Sequence, residues 1–229
     1  MDPSALVGTW SVTGTGAVLA VDPHGFELRD GTDVRFGSWR ADPSGLFVAH
    51  VTGASGATQA PPDASTPPWL AAAATVAAEG TDLVLHDAAG EPTARLSRQA
   101  GPTAAPGAPE ARTGQADPLP PGLEPADRSR LPGRWAPAET STAPQPPHVE
   151  LAADGSWTGS DGCNSAAGRW TAGPRGIFLA TSGPSTLMAC EGMVGVPGWL
   201  GAAARAGFDG ETLVLLDADA HELGRLQRA

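Results

Sequence analysis

The residues of this chain best suited to chemistry are its two cysteines, Cys163 and Cys190. A thiolate activated by a nearby base can act as a nucleophile or as half of a redox pair. None of the five histidines lies near either cysteine in sequence, so no activating partner can be read. The structural reading, buried thiols or a tertiary disulfide, is preferred over a cysteine-dependent enzyme, which stays as the alternative. Asn164, beside Cys163, suits a turn whose side chain satisfies local backbone better than it suits an oxyanion hole. Asp154, Ser156 and Asp161 offer oxygen ligands, but their spacing lacks the alternating carboxylates and terminal glutamate of a calcium loop. Gly14-Thr15-Gly16 leads from one strand into another rather than into a helix that could hold a phosphate. His148 and His221 lie near strand segments and read as rim residues. Neither a metal nor a cofactor is expected, and the expected protein is not an enzyme.

The elements that must position these residues are built from an unusual composition. Among 229 residues there are 14 arginines, no lysine and 25 acidic side chains, a net charge of −11. Such a balance argues against a protein that grips nucleic acid or an anionic membrane. Large aliphatics are scarce, and the seven tryptophans must fill small cores in their place. No apolar run is long enough for a membrane-spanning helix. The start, Met1-Asp2-Pro3-Ser4, has neither a basic region nor an apolar one, so a cytoplasmic monomer is the expectation as written, with envelope or secretion following if an upstream signal had been removed. Two cysteines are too few for a disulfide scaffold or a Cys-only zinc site.

The chain repeats itself. Leu6-Val7-Gly8-Thr9-Trp10 returns as Leu131-Pro132-Gly133-Arg134-Trp135, Gly37-Ser38-Trp39 as Gly168-Arg169-Trp170, and Trp69-Leu70 as Trp199-Leu200. Six of the seven tryptophans pair in this way, and Trp157 alone has no counterpart. The expected architecture is a domain over 1–99, a Pro/Ala/Gly-rich linker over 100–130 that cannot offset its own ordering entropy, and a second domain over 131–229.

Within each copy the pattern is mostly β. Val18 to Val21 and Phe26 to Arg29 flank Asp22-Pro23-His24-Gly25, and Trp39 to Ala41 and Leu46 to Ala49 flank Asp42-Pro43-Ser44-Gly45, both with turn residues in place. One segment per copy reads as a helix: from Pro67-Pro68 to Gly80 with Trp69, Ala73 and Val76 on one face, and from Pro197 to Gly207 with Trp199, Ala203 and Ala206. A two-strand meander closes each copy.

The second copy carries Gly162-Cys163-Asn164 followed by Ser185-Thr186-Leu187-Met188-Ala189-Cys190. This order resembles the META domain, the family that includes the heat-shock lipoprotein HslJ, with its Gly-Cys-Asn turn and Thr-x-Met-x-Cys segment. The likeness spans Leu131 to Gln227; the first copy shares it only through its internal likeness to the second and has lost the motif. The resemblance implies a mainly β (α+β) fold of two HslJ-like units, each a curled antiparallel sheet or half-open barrel packed on one helix. It also implies no established enzymatic activity and an association with stress responses. The motif residues Gly162, Cys163, Asn164, Thr186, Met188 and Cys190 then form a structural site. Cys163 and Cys190, on segments bordering one small sheet and both lost from the first copy, are a candidate disulfide. Trp10, Trp39, Trp69, Trp135, Trp170 and Trp199 are the candidate core tryptophans. The functional expectation is binding of an apolar ligand or a protein or envelope partner in the groove between sheet and helix.

Overall fold

The computed structural model describes residues 1–55, 66–99, 116–186 and 188–229. The chain divides into two compact units, Met1–Gly114 and Gln115–Ala229, and each carries its own antiparallel sheet and its own core.

In the first unit a 3-10 turn, Pro3–Leu6, is capped by Asp2, whose carboxylate accepts from the amide of Ser4. There follow β1 (Gly8–Val12), β2 (Val18–Val21), β3 (Phe26–Asp30), β4 (Asp33–Ala41), β5 (Phe47–Ser55), the single helical turn α1 (Pro68–Ala71), β6 (Thr75–Glu79), β7 (Asp82–His86) and β8 (Pro92–Arg98). Their order across the sheet is β5-β4-β3-β2-β1-β8-β7-β6. The two outer strands approach one another at a bridge between Leu46 and Thr75, so the sheet curls back towards itself. The turns are those the sequence marks: the Asp22 carboxylate accepts from the amides of His24 and Gly25, and Asp42 accepts from those of Ser44 and Leu46.

The second unit repeats this order and adds one strand. It contains β9 (Glu124–Pro125), β10 (Gly133–Pro137), β11 (His148–Leu151), β12 (Ser156–Ser160), β13 (Ser165–Ala172), β14 (Phe178–Ala180), α2 (Val196–Ala202), β15 (Arg205–Asp209), β16 (Thr212–Leu216) and β17 (Glu222–Arg228). The sheet runs β14-β13-β12-β11-β10-β17-β16-β15-β9, and its curl is closed by a bridge from Ile177 to Arg205.

The helical reading of 68–80 and 197–207 is corrected by the structure. Each helix stops early, and Thr75–Glu79 and Arg205–Asp209 are strands, so three strands rather than two finish each copy. Alanine's helical preference is only a few tenths of a kcal/mol per residue over ordinary side chains. It is outweighed by the ladder that β7 and β16 offer and by burial of Val76 and Phe208 in the cores.

A second correction concerns the linker. Residues 100–115 lie outside the described residues, but residues 116–130 pack on the second unit. β9 pairs with β15, Ala126 is buried, and the buried guanidinium of Arg205 donates to the carbonyls of Ala116 (2.7 Å) and Asp117 (2.9 Å). Backbone pairing and one cationic anchor supply the ordering that a sequence poor in apolar side chains lacks.

The tryptophans take corresponding places. Trp10 and Trp135 are buried, and each indole donates to the carbonyl four residues earlier, Leu6 and Leu131, at 2.8 Å. Over each ring lies a guanidinium from the last strand, Arg98 at 4.4 Å and Arg228 at 4.3 Å. Trp39 donates to the carbonyls of Asp22 and Gly25, and Trp170 to those of Ala152 and Ser156, in both units across the hairpin two strands away. Trp39, Trp69 and Trp199 are half-buried at the core margins rather than inside them. Trp157, unpaired in the repeat, is fully buried at the place that register gives to Phe26 in the first unit.

Candidate functional site

The motif residues meet at the turn between β12 and β13. Gly162 has φ +96°, and a side chain there would collide with Ala143 and the carbonyl of Gln145, so glycine is required on both counts. The Asp161 carboxylate organises the turn: Oδ1 accepts from the amides of Cys163 (2.8 Å) and Asn164 (2.5 Å), and Oδ2 from the Asn164 side-chain amide (3.0 Å). Burial disfavours its charge, but the hydrogen bonds from Asn164 and Cys163 outweigh that and hold its carboxyl below the usual aspartate range.

Asn164 ties the two halves of the motif together. Its side chain is buried; Oδ1 accepts from the Thr186 hydroxyl and from the Met188 amide, both at 2.8 Å, and Nδ2 donates to the Met188 carbonyl at 2.8 Å. A primary amide thus pairs with both backbone groups of one residue, Met188, as a strand partner would, and fixes a segment that has no strand of its own among the described residues. Cys163 and Cys190 form a disulfide with Cα atoms 6.0 Å apart, within the range a bridge permits.

Asn164→Ala is expected to cost about 1–2 kcal/mol, because water can reach the exposed Thr186 and Met188 and replace part of what is lost. Chemical denaturation measures it; an unchanged midpoint would show that the clamp does not hold the segment.

Beside this clamp lies a cleft of about 450 Å³. It is bordered by Asn164, Thr186, Met188 and Ala189 on one side and by Met193 and Pro197, at the start of α2, on the other. Met188 and Met193 are 57% and 48% exposed. The interior of the first unit's sheet is by contrast packed to a void of about 10 Å³ among Trp10, Phe26, Trp39 and Leu85, where nothing larger than a water fits.

No histidine borders the cleft. His148, half-buried, approaches the Pro146 carbonyl, and exposed His221 pairs with Asp217. Asp154 accepts from the amide and hydroxyl of Ser156, so both acidic residues weighed as calcium ligands, Asp154 and Asp161, are engaged in turns. The sequence reading passed over Asp161 as the organiser of the motif and Met193 as a cleft residue. The Asp-Gly-x-Asn spacing is an Asx-turn signal that marks the former; Met193 carries no local signal.

An antiparallel, disulfide-tied β unit with a clamped segment facing a short helix is the class of domain this geometry defines. The family model of the META domain matches residues 131–229, so a META domain is present in the second unit. No curated protein and no solved structure matches the chain.

Proposed function

We propose that the chain is a non-enzymatic binding protein whose META domain takes an apolar group in the cleft between the clamped segment and α2. The observation that carries this reading is the pair of exposed methionines, Met188 and Met193, on the border of a cleft where the Asn164 side chain is already fully engaged. Methionine is flexible and polarizable and adapts to varied apolar surfaces. The engagement of Cys163 and Cys190 with each other, and the lack of a histidine at the cleft, count against the alternative of a cysteine-dependent enzyme.

The first unit is, in this proposal, a degenerate copy of the second, HslJ-like unit. The shared strand order and the matching indole hydrogen bonds support the duplication. A stress-related role is proposed on the family resemblance, and the disulfide favours an oxidising compartment such as the envelope over the cytosol.

Gentle purification followed by native mass spectrometry is expected to show a retained lipid-like or peptide mass that Met188→Glu and Met193→Glu variants lose. Wild type and variants free of adducts, with no saturable uptake of an apolar fluorescent probe, would remove the binding reading. Rapid labelling of Cys163 in reduced, folded protein well below the unperturbed thiol pKa of about 8.5 would restore the enzyme.

A further inference from the structure

We propose that Arg128 and Arg169 form an oxyanion site at the β11–β12 turn of the second unit, taking a phosphate or carboxylate group. Arg29, Arg35, Arg95, Arg130 and Arg225 each have a carboxylate partner. Arg128 and Arg169, in a chain with 25 acidic residues against 14 arginines, have no ion pair among the described residues; nor have Arg98, Arg134, Arg175 and Arg228, and what marks Arg128 and Arg169 is that their guanidiniums come together at one turn.

Both side chains converge on Gly155. Its φ is +83°, and a Cβ there would lie 3.1 Å from Nη2 of Arg128 and 3.3 Å from Nη2 of Arg169. The Trp170 carbonyl would be nearer still, at 3.0 Å, so the two guanidinium ends and this carbonyl border one small space over the turn. Arg128 lies 5.0 Å from the centre of the Trp170 ring and makes two long hydrogen bonds, to the Thr171 hydroxyl (3.3 Å) and the Ala153 carbonyl (3.5 Å). Arg169 makes one, to the Asp154 carbonyl at 2.6 Å. A guanidinium has five N–H donors, so most of theirs have no protein acceptor. The nearby Asp154 carboxylate is engaged by Ser156.

Two like charges held together in a half-buried place are unfavourable on their own. Burial pushes both guanidiniums below the usual arginine range; the nearby Asp154 carboxylate offsets this only in part at each, and Arg128 adds repulsion at Arg169. An oxyanion between them relieves both effects, and the planar fork of arginine matches carboxylate and phosphate oxygens. In the first unit the residue before the corresponding tryptophan is Ser38, so this pair belongs to the second copy alone. The turn at 152–155 and the motif turn at 161–164 lie at opposite ends of β12, about 17 Å apart for a strand of five residues, which separates this site from the methionine cleft.

Titration calorimetry on the full chain, with sodium phosphate and with sodium acetate at ionic strength held constant by sodium chloride, tests the proposal. Saturable binding of at least one anion is expected, weakened at least tenfold in Arg128→Gln and in Arg169→Gln and unchanged in Arg225→Gln. Binding of phosphate alone assigns the site to phosphate groups, and binding of acetate alone to carboxylates. Circular dichroism checks the fold of each variant, and Arg169→Lys, which keeps the charge but not the fork, stands in for a variant that does not fold. No binding of either anion, or equal binding by wild type and both Gln variants, overturns the site.

Discussion

Replacing Trp135 by alanine is expected to destabilise the second unit by about 3–5 kcal/mol, the cost of truncating a large buried aromatic. The indole is 1% exposed, packs 6.0 Å from the Phe208 ring and lies beneath the Arg228 guanidinium. Its N–H also satisfies the Leu131 carbonyl. A cavity, an orphaned acceptor and a cation without its ring would all appear together, at a point where strands β10, β15 and β17 converge. Denaturant unfolding, read by amide exchange within the second unit, measures the loss. A shift equivalent to less than 1 kcal/mol would mean that the core does not depend on its indoles. The same truncation at half-buried Trp199 should cost less, which makes it the internal comparison.

Reducing the Cys163–Cys190 disulfide is expected to lower stability by on the order of 3 kcal/mol, from the chain entropy released by opening a loop of 27 residues. That loop contains β13 and β14, the outer hairpin of the sheet. Reduction should therefore increase amide exchange in this hairpin before it does so in β16 and β17. The Asn164 clamp makes its own bonds to Thr186 and Met188, so the turn should persist in the reduced protein. Paired unfolding curves with and without a dithiol decide it, and coincident midpoints contradict the expectation.

The hairpins were legible because their turns carry the residues that turns need. Asp22-Pro23-His24-Gly25 and Asp42-Pro43-Ser44-Gly45 form Asx-type bonds at the places their sequences mark. Proximity of Cys163 and Cys190 was also legible, since both border one small sheet. What failed was of a different kind. Ala71 to Ala78 and Ala202 to Ala206 present alanines at intervals compatible with a helix, and pairing across the tight turns at Gly80-Thr81 and Gly210-Glu211 with the strands that follow, β7 and β16, makes strands of their ends. The anchoring of 116–130 depends on Arg205, some 90 residues away in sequence, which no local pattern announces. Likewise, the approach of Arg128 to Arg169 exists only once the turn at Gly155 has formed.

The two-residue strand β9 has a bearing on how copies of this protein behave towards each other. An unpaired strand at the end of a sheet offers its amides and carbonyls to any neighbouring chain and can seed growth of fibres. In the second unit that position beside β15 is filled from within the same chain, by Glu124 opposite Phe208 and Pro125 opposite Gly207. Proline has no amide hydrogen to pass on, and two residues are too short to template another strand. The segment ahead of the META domain thus acts as a guard rail, and a chain cut behind it would leave β15 as a docking rail for its twin.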